Sequence, residues 1–156
     1  MKRRPISLEG HKNLQMEFDH MVRVERPRII KEIETALEHG DLTENAEYTY
    51  AKEKQALLEK RIRDLQERLG ACEVVDLASR PSTDRIVFGC SVKIEDIETC
   101  EQKVYRLLGQ DEVDISKGII SVTSPLGRAL IGKQAEDVVE VKTPDGLREF
   151  EIIEFS

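Results

Sequence analysis

The stretch Ala51-Lys52-Glu53-Lys54-Gln55-Ala56-Leu57-Leu58-Glu59-Lys60-Arg61-Ile62-Arg63-Asp64-Leu65-Gln66-Glu67-Arg68-Leu69-Gly70-Ala71-Cys72 decides the fold of the first half of this chain. Ala51, Gln55, Leu58, Ile62, Leu65, Leu69 and Cys72 follow one another at spacings of 4, 3, 4, 3, 4 and 3. A sustained heptad of this kind predicts a helix lying along a partner helix, because only one narrow stripe of it is apolar. About 30 residues between Glu44 and Val74, at ~1.5 Å each, make a helix roughly 45 Å long.

The partner lies upstream. Ser7 reads as an N-cap, and Leu14, Phe18 and Met21 recur at helical spacing. Proline is costly inside a helix and at home in its first turn, so Pro27 marks the start of a second helix, with Ile30, Ile33 and Leu37 on one face. Gly40 breaks the pattern, and His39-Gly40-Asp41-Leu42-Thr43 forms a tight turn. So short a connection makes the helices on its two sides antiparallel.

Past Asp76 the period changes. Ser79-Arg80-Pro81-Ser82-Thr83-Asp84 has linker composition. Strand-like runs follow at Ile86–Phe88, Ser91–Ile94, Lys103–Leu108 and Ile119–Val122. Ser124-Pro125 opens a short helix through Ile131, which Gly132 stops. Val138–Val141 and Phe150–Ile153 flank the turn Thr143-Pro144-Asp145-Gly146, where proline sets φ and glycine allows it to be positive. The organisation is a helical hairpin over 1–76 with its tip at 41–44, a linker over 77–85, and a small α+β domain with an antiparallel sheet over 86–156.

Composition narrows the function. Of the 156 residues 35% are charged and only 4% aromatic, which suits solvated helices better than a ring-walled ligand pocket. The net charge is −7, with −2 in residues 1–76 and −5 in 77–156, against the basic balance of a general DNA binder. No apolar run reaches the ~18 residues of a membrane span, and no secretory signal is visible, so the cytoplasm is the expected compartment. Cys72, Cys90 and Cys100 lack any CxxC spacing and read as reduced thiols, Cys72 as a buried, inert one.

The tip is the most chemical part of the chain. Asp41, Glu44 and Glu47 place three carboxylates within about two turns. The plain account is a capping box, with Asp41 as N-cap and Glu44 reaching back, or Thr43 as a competing cap. The same spacing also suits a divalent ion or a metal-bound water. Two exposed carboxylates hold Mg²⁺ weakly, so such a site is partial and needs another molecule to complete it. From the residues alone both accounts stand.

Three segments carry a resemblance. Val24-Glu25-Arg26-Pro27-Arg28-Ile29-Ile30 and Glu38-His39-Gly40-Asp41-Leu42-Thr43-Glu44-Asn45-Ala46-Glu47-Tyr48 are similar to the signature of the Gre family of bacterial transcript-cleavage factors, in its GreA type. So is Ile120-Ser121-Val122-Thr123-Ser124-Pro125-Leu126-Gly127-Arg128-Ala129-Leu130-Ile131-Gly132-Lys133. The resemblance implies an N-terminal antiparallel α-helical coiled coil followed by a small FKBP-like domain. It implies a monomeric accessory factor that enters the secondary channel of RNA polymerase and stimulates cleavage of backtracked RNA by the polymerase.

The roles implied fall on particular residues. Asp41 and Glu44 help hold a Mg²⁺ of the polymerase active site and orient the attacking water, the factor having no cofactor of its own. Lys52 matches an RNA-contacting position, whereas Leu37 stands where some members have Arg. Thr123, Ser124 and Pro125 match a polymerase-docking loop, with Thr123 where some relatives have Asp. Asn45 and Tyr48 are supporting positions behind the tip, and the partners implied are RNA polymerase and the extruded RNA 3′ end. The alternative within the same architecture is a non-cleaving regulator or inhibitor of the secondary channel. Outside it are a prolyl isomerase, for which Phe88, Tyr105, Phe150 and Phe155 make a poor pocket, and a coiled-coil adaptor. The remaining basic residues of the long helix, Lys54, Lys60, Arg61 and Arg63, read as a solvated face with pairs such as Glu59 with Arg63.

Overall fold

The structure is a computed structural model that describes residues 3–40, 45–77 and 84–156. It divides by contacts into two units, Met1–Gly10 with Cys72–Ser156, and His11–Ala71. Residues 4–10 and 72–76, expected with the hairpin, thus side with the second half. The cause is a two-stranded parallel ladder, β1 (Arg4–Ser7) on β2 (Cys72–Val75). The last helix stops at Ala71, where Cys72-Glu73-Val74-Val75 leaves helical geometry to pair with Arg4–Ser7 instead of running on to Val74.

The helical unit is a hairpin. Helix α1 (Leu8–His20) opens as expected on Ser7, whose Oγ accepts from the Gly10 N–H at 3.1 Å. It does not end before Pro27. A π turn over Met21–Glu25 joins α1 to α2 (Arg26–Leu37), and His20, Glu25 and Arg26 all keep right-handed helical angles. The Arg26 N–H reaches back five residues to the Met21 carbonyl. Proline has no N–H to donate and crowds the carbonyl four residues back; one wide turn just before it accommodates both.

That turn also corrects the expected face of α2. A π turn adds one residue to the helix without advancing its register, so the buried positions become Ile29 and Ala36, with Ile33 half-buried. Ile30 and Leu37 are 41% and 44% exposed. Helix α3 (Ala46–Ala71) behaves as its heptad predicts: Ala51, Leu58, Ile62 and Leu65 are buried, with Gln55 and Leu69 half-buried between and beyond them. Two ion pairs cross the hairpin, Arg26 on Glu59 through two bonds of 2.8 Å and Lys54 on Glu32 at 3.1 Å. Glu59 therefore pairs with Arg26 across the seam instead of with Arg63 along α3.

The globular unit is built on a five-stranded sheet in the order β5-β4-β3-β7-β6. Its strands are β3 (Ser91–Asp96), β4 (Gln102–Leu108), β5 (Ile119–Ser121), β6 (Val138–Thr143) and β7 (Gly146–Phe155), with helix α4 (Pro125–Leu130) between β5 and β6. The pairings are antiparallel except β4 with β5, which is parallel. The chain from β4 to β5 makes two 3₁₀ turns, Gln110–Glu112 and Ile115–Lys117.

Strand β3 shows why this half folds as a sheet: Val92, Ile94 and Asp96 are buried while Ser91, Lys93 and Glu95 are half-covered, the period of two of a pleated strand. Val92 and Ile94 join Ile86, Cys90, Leu107, Leu130, Val139, Val141 and Ile152 in one core. Burying a side chain such as Ile94 or Leu107 contributes roughly 1.5–3 kcal/mol relative to leaving it in water. Ile86–Phe88 is not a strand. Ile86 is fully buried, but its N–H and C=O go to Lys133 and Gly132, and the chain turns at once through Gly89, whose φ is +92°. Tyr105, Phe150 and Phe155 pack on the core, as expected of rings that do not line a pocket. Among the described residues no helix is long and apolar enough to cross a membrane.

Candidate functional site

Helix α2 unwinds over three residues. Glu38 N–H is shared between the Glu34 and Thr35 carbonyls, His39 N–H reaches Ala36 at 3.1 Å, and Gly40 N–H reaches Leu37 at 3.3 Å. Gly40 then takes φ +96°, a conformation that favours glycine. Asp41 and Glu44 lie outside the described residues, as do Leu42 and Thr43.

The chain is described again from Asn45, and here the capping account changes. The Asn45 Oδ1 accepts from the Tyr48 N–H at 3.1 Å, which makes Asn45 the N-cap of α3. Its Nδ2 donates to the Ala36 carbonyl at 2.7 Å. One amide side chain thus satisfies a free donor at the start of α3 and an acceptor near the end of α2, tying the two helices together behind the turn. The Thr49 hydroxyl adds a bond to the Asn45 carbonyl. A capping box needs its N-cap at Asp41 and its third helical residue at Glu44; the helix begins at Ala46, and its third residue is Tyr48. Asp41 and Glu44 precede the cap. Sequence reasoning held Asn45 as a supporting residue and missed this role, although Asn is among the strongest N-cap residues.

Tyr48 is half-buried, and its backbone N–H donates to Asn45. Glu47 faces His39 at 3.5 Å, an exposed pair that attracts only when the imidazole is protonated. Lys52 is exposed, with its ammonium 3.1 Å from Gln55 Oε1. On the same helix Tyr50 is 63% exposed and carries the Lys54 ammonium 5.2 Å above its ring. Among the described residues no group of three or more His, Cys, Asp or Glu side chains is placed to hold a metal.

The loop before α4 is a second candidate. Ser124 caps the helix, its Oγ accepting from Gly127 N–H at 3.1 Å and donating to the Ser121 carbonyl at 2.6 Å. Ser121 Oγ lies 2.6 Å from Thr123 Oγ1 and accepts from the Thr123 N–H at 3.0 Å. A methyl on Gly127 would overlap the Ser121 carbonyl oxygen, so glycine is required for this close approach. The bonds consume the polar groups of Ser121 and Ser124 and leave Thr123 and Pro125 exposed on a stiff loop. Ser124 is therefore structural in its bonds, while its two neighbours are exposed to solvent.

Comparison with known proteins agrees over the whole chain. A family model described as "Transcription elongation factor, N-terminal" matches residues 4–74, and one described as "Transcription elongation factor, GreA/GreB, C-term" matches residues 81–156. A transcription elongation factor GreA from Syntrophobacter fumaroxidans is 49% identical over 99% of this chain and 98% of that protein. The one from Pseudomonas syringae pv. tomato is 47% identical over 96% and 95%. The solved structure of GreA factor homolog 1 (Gfh1) of Thermus thermophilus is 24% identical, covers 99% of both chains and has a TM-score of 0.46. Two consecutive family matches, together covering nearly every residue, and full-length relatives at this identity mean that the chain belongs to the GreA/GreB family of transcription elongation factors.

Proposed function

We propose that this protein is an accessory factor of bacterial RNA polymerase that carries Asp41 and Glu44 into the secondary channel and stimulates cleavage of backtracked RNA by the polymerase itself. The globular unit docks on the polymerase, with Thr123 and Pro125 as contacts, and the helical unit delivers the tip. Asp41 and Glu44 are hard oxygen donors suited to Mg²⁺, and two of them leave the coordination sphere to be completed by the polymerase. Bound Mg²⁺ supplies Lewis acidity and a more acidic water for hydrolysis. What this chain contributes is position: two carboxylates carried to the reacting phosphodiester at the end of a helical hairpin, converting a chance encounter into a held geometry. Lys52, exposed on α3, offers a cation to the RNA 3′ segment. The factor acts as a monomer and has no cofactor of its own.

The observation that supports this reading is the Asn45 cap. Asn45 supplies the cap of α3, which begins at Ala46, so the start of this helix does not call on Asp41 or Glu44, and this supports reading them as donors to a partner's metal. The test is RNA cleavage in a deliberately backtracked polymerase complex, with polymerase binding and thermal melts measured on the same samples. Wild type should release short 3′ fragments; Asp41→Ala and Glu44→Ala should each lose this activity while binding and melting hold. A wild type that binds and blocks the channel without cleavage would replace this reading with the inhibitor. Tip variants that change only stability would favour an adaptor.

A further inference from the structure

All three residues of the 3₁₀ turn Gln110–Glu112 grip the β1 segment or the strand beside it. Asp111 Oδ1 lies 3.4 Å from the Arg4 guanidinium, and the Cys72 thiol donates to Asp111 Oδ2 at 3.9 Å. Gln110, with its amide oxygen turned inward, accepts from the same guanidinium at 2.9 and 3.1 Å. Glu112 does most. One carboxylate oxygen accepts from the Ser7 N–H at 3.0 Å and the Gly109 N–H at 2.9 Å, and the other accepts from the Ser7 hydroxyl.

Ser7 is only 6% exposed and its hydroxyl is also the cap of α1, accepting from Gly10 N–H. Glu112 therefore holds the group that holds the first turn of α1. Gly10 completes the fit, since a methyl there would overlap the Glu112 carboxylate. A methyl on Gly109 would likewise overlap the Pro5 carbonyl oxygen. A carboxylate that accepts from three donors, two of them on the residue where β1 becomes α1, is more than a turn needs for itself. Charge assistance makes each of these bonds stronger than a neutral one.

We propose that Glu112 is a positioning residue for transcript cleavage: it locks the first turn of α1, the helix that runs on through the π turn and α2 to the tip. This rests on the cleavage reading above. Residues that hold geometry far from the reacting atoms affect rate strongly, because an error of about 1 Å costs on the order of 100-fold.

The test uses the full chain as wild type, Glu112→Ala, Glu112→Gln and Gly10→Ala. Amide hydrogen exchange at Ser7, Gly10 and Gly109 reads the lock; cleavage at saturating factor and the concentration for half-maximal effect separate rate from binding. Glu112→Ala should speed exchange at all three amides and lower saturating cleavage on the order of 10- to 100-fold, with the half-maximal concentration little changed. Gly10→Ala, which displaces the carboxylate without removing it, should do the same. Glu112→Gln keeps an acceptor oxygen and should restore most of the rate. If Glu112→Ala does not fold, the Gly10→Ala and Glu112→Gln pair decides. Loosened amides with undiminished cleavage overturn the positioning role alone. A wild type that does not stimulate cleavage removes the reading beneath it, and this role with it.

Discussion

Asn45 bonds at both ends of its amide, so its removal is felt in both helices. Asn45→Ala should lower stability by about 1–2 kcal/mol, the upper range for an N-cap, because the Ala36 carbonyl also loses the Asn45 amide as a donor while keeping the His39 N–H. Asn45→Ser, which keeps a cap acceptor but not the reach to Ala36, should recover part of this in a thermal melt. The thiols separate as cleanly. Cys100 is exposed, whereas Cys72 and Cys90 are buried, so a colourless-to-yellow thiol reagent should count one fast group in the native protein and three after unfolding. Burial first, then the Asp111 carboxylate, pushes the Cys72 thiol above the ordinary 9.0. The folded state thus keeps a proton that an unfolded thiol releases. The stabilisation is complete below the ordinary value and is lost as pH climbs through the folded one. A denaturation series from pH 8 upward should show wild type losing stability faster than Cys72→Ser above about pH 9.

Among the elements, the seam of α3 was readable because six residues from Ala51 to Leu69 repeat the same 4-3 step, and nothing interrupts the helix to spoil it; the seventh, Cys72, falls in β2. Ile62→Ala should cost about 2–5 kcal/mol in urea denaturation, whereas Leu57→Ala, at a position 61% exposed on the same helix, should cost within about 0.5 kcal/mol. The face of α2 was not readable. Its large apolar residues Ile30 and Leu37 suggest one stripe, but the π turn before Pro27 rotates the helix, and the smaller Ala36 lies inside. Nothing in a hydrophobic pattern announces an extra residue in a turn. The ladder of β1 on β2 was hidden for another reason: each strand has four residues, and Ile6 meets Val74 across 68 positions of sequence. Periodicity is a local signal, and this pairing is not local. The hairpin Thr143–Gly146 stood out because its turn chemistry lies within four residues.

At the level of the whole molecule, the family and both halves could be read from motifs; the lock on Ser7 could not. Nothing about Glu112 in Gly109-Gln110-Asp111-Glu112-Val113 distinguishes it from the many other acidic residues of a chain with net charge −7. That charge has its own expected outcome. If docking is carried by a small stiff loop and not by a broad basic face, polymerase affinity should fall much less than the 10³–10⁵-fold typical of multi-phosphate contacts between about 50 and 200 mM salt. A titration of binding against salt would show it.

The β1–β2 ladder has a consequence for how the chain comes to be folded. Arg4–Ser7 is synthesised before its strand partner and its carboxylate acceptors, which come from residues 72–75 and 110–112. The globular unit is interrupted in sequence by the whole hairpin, which can close on itself while the first strand waits. Early synthesis therefore yields a self-sufficient helical pair preceded by an orphan strand, and the last third of translation completes a unit begun at residue 4. Contacts of such long range form slowly. In refolding, the helical signal should lead and protection of the Ser7 amide should come last.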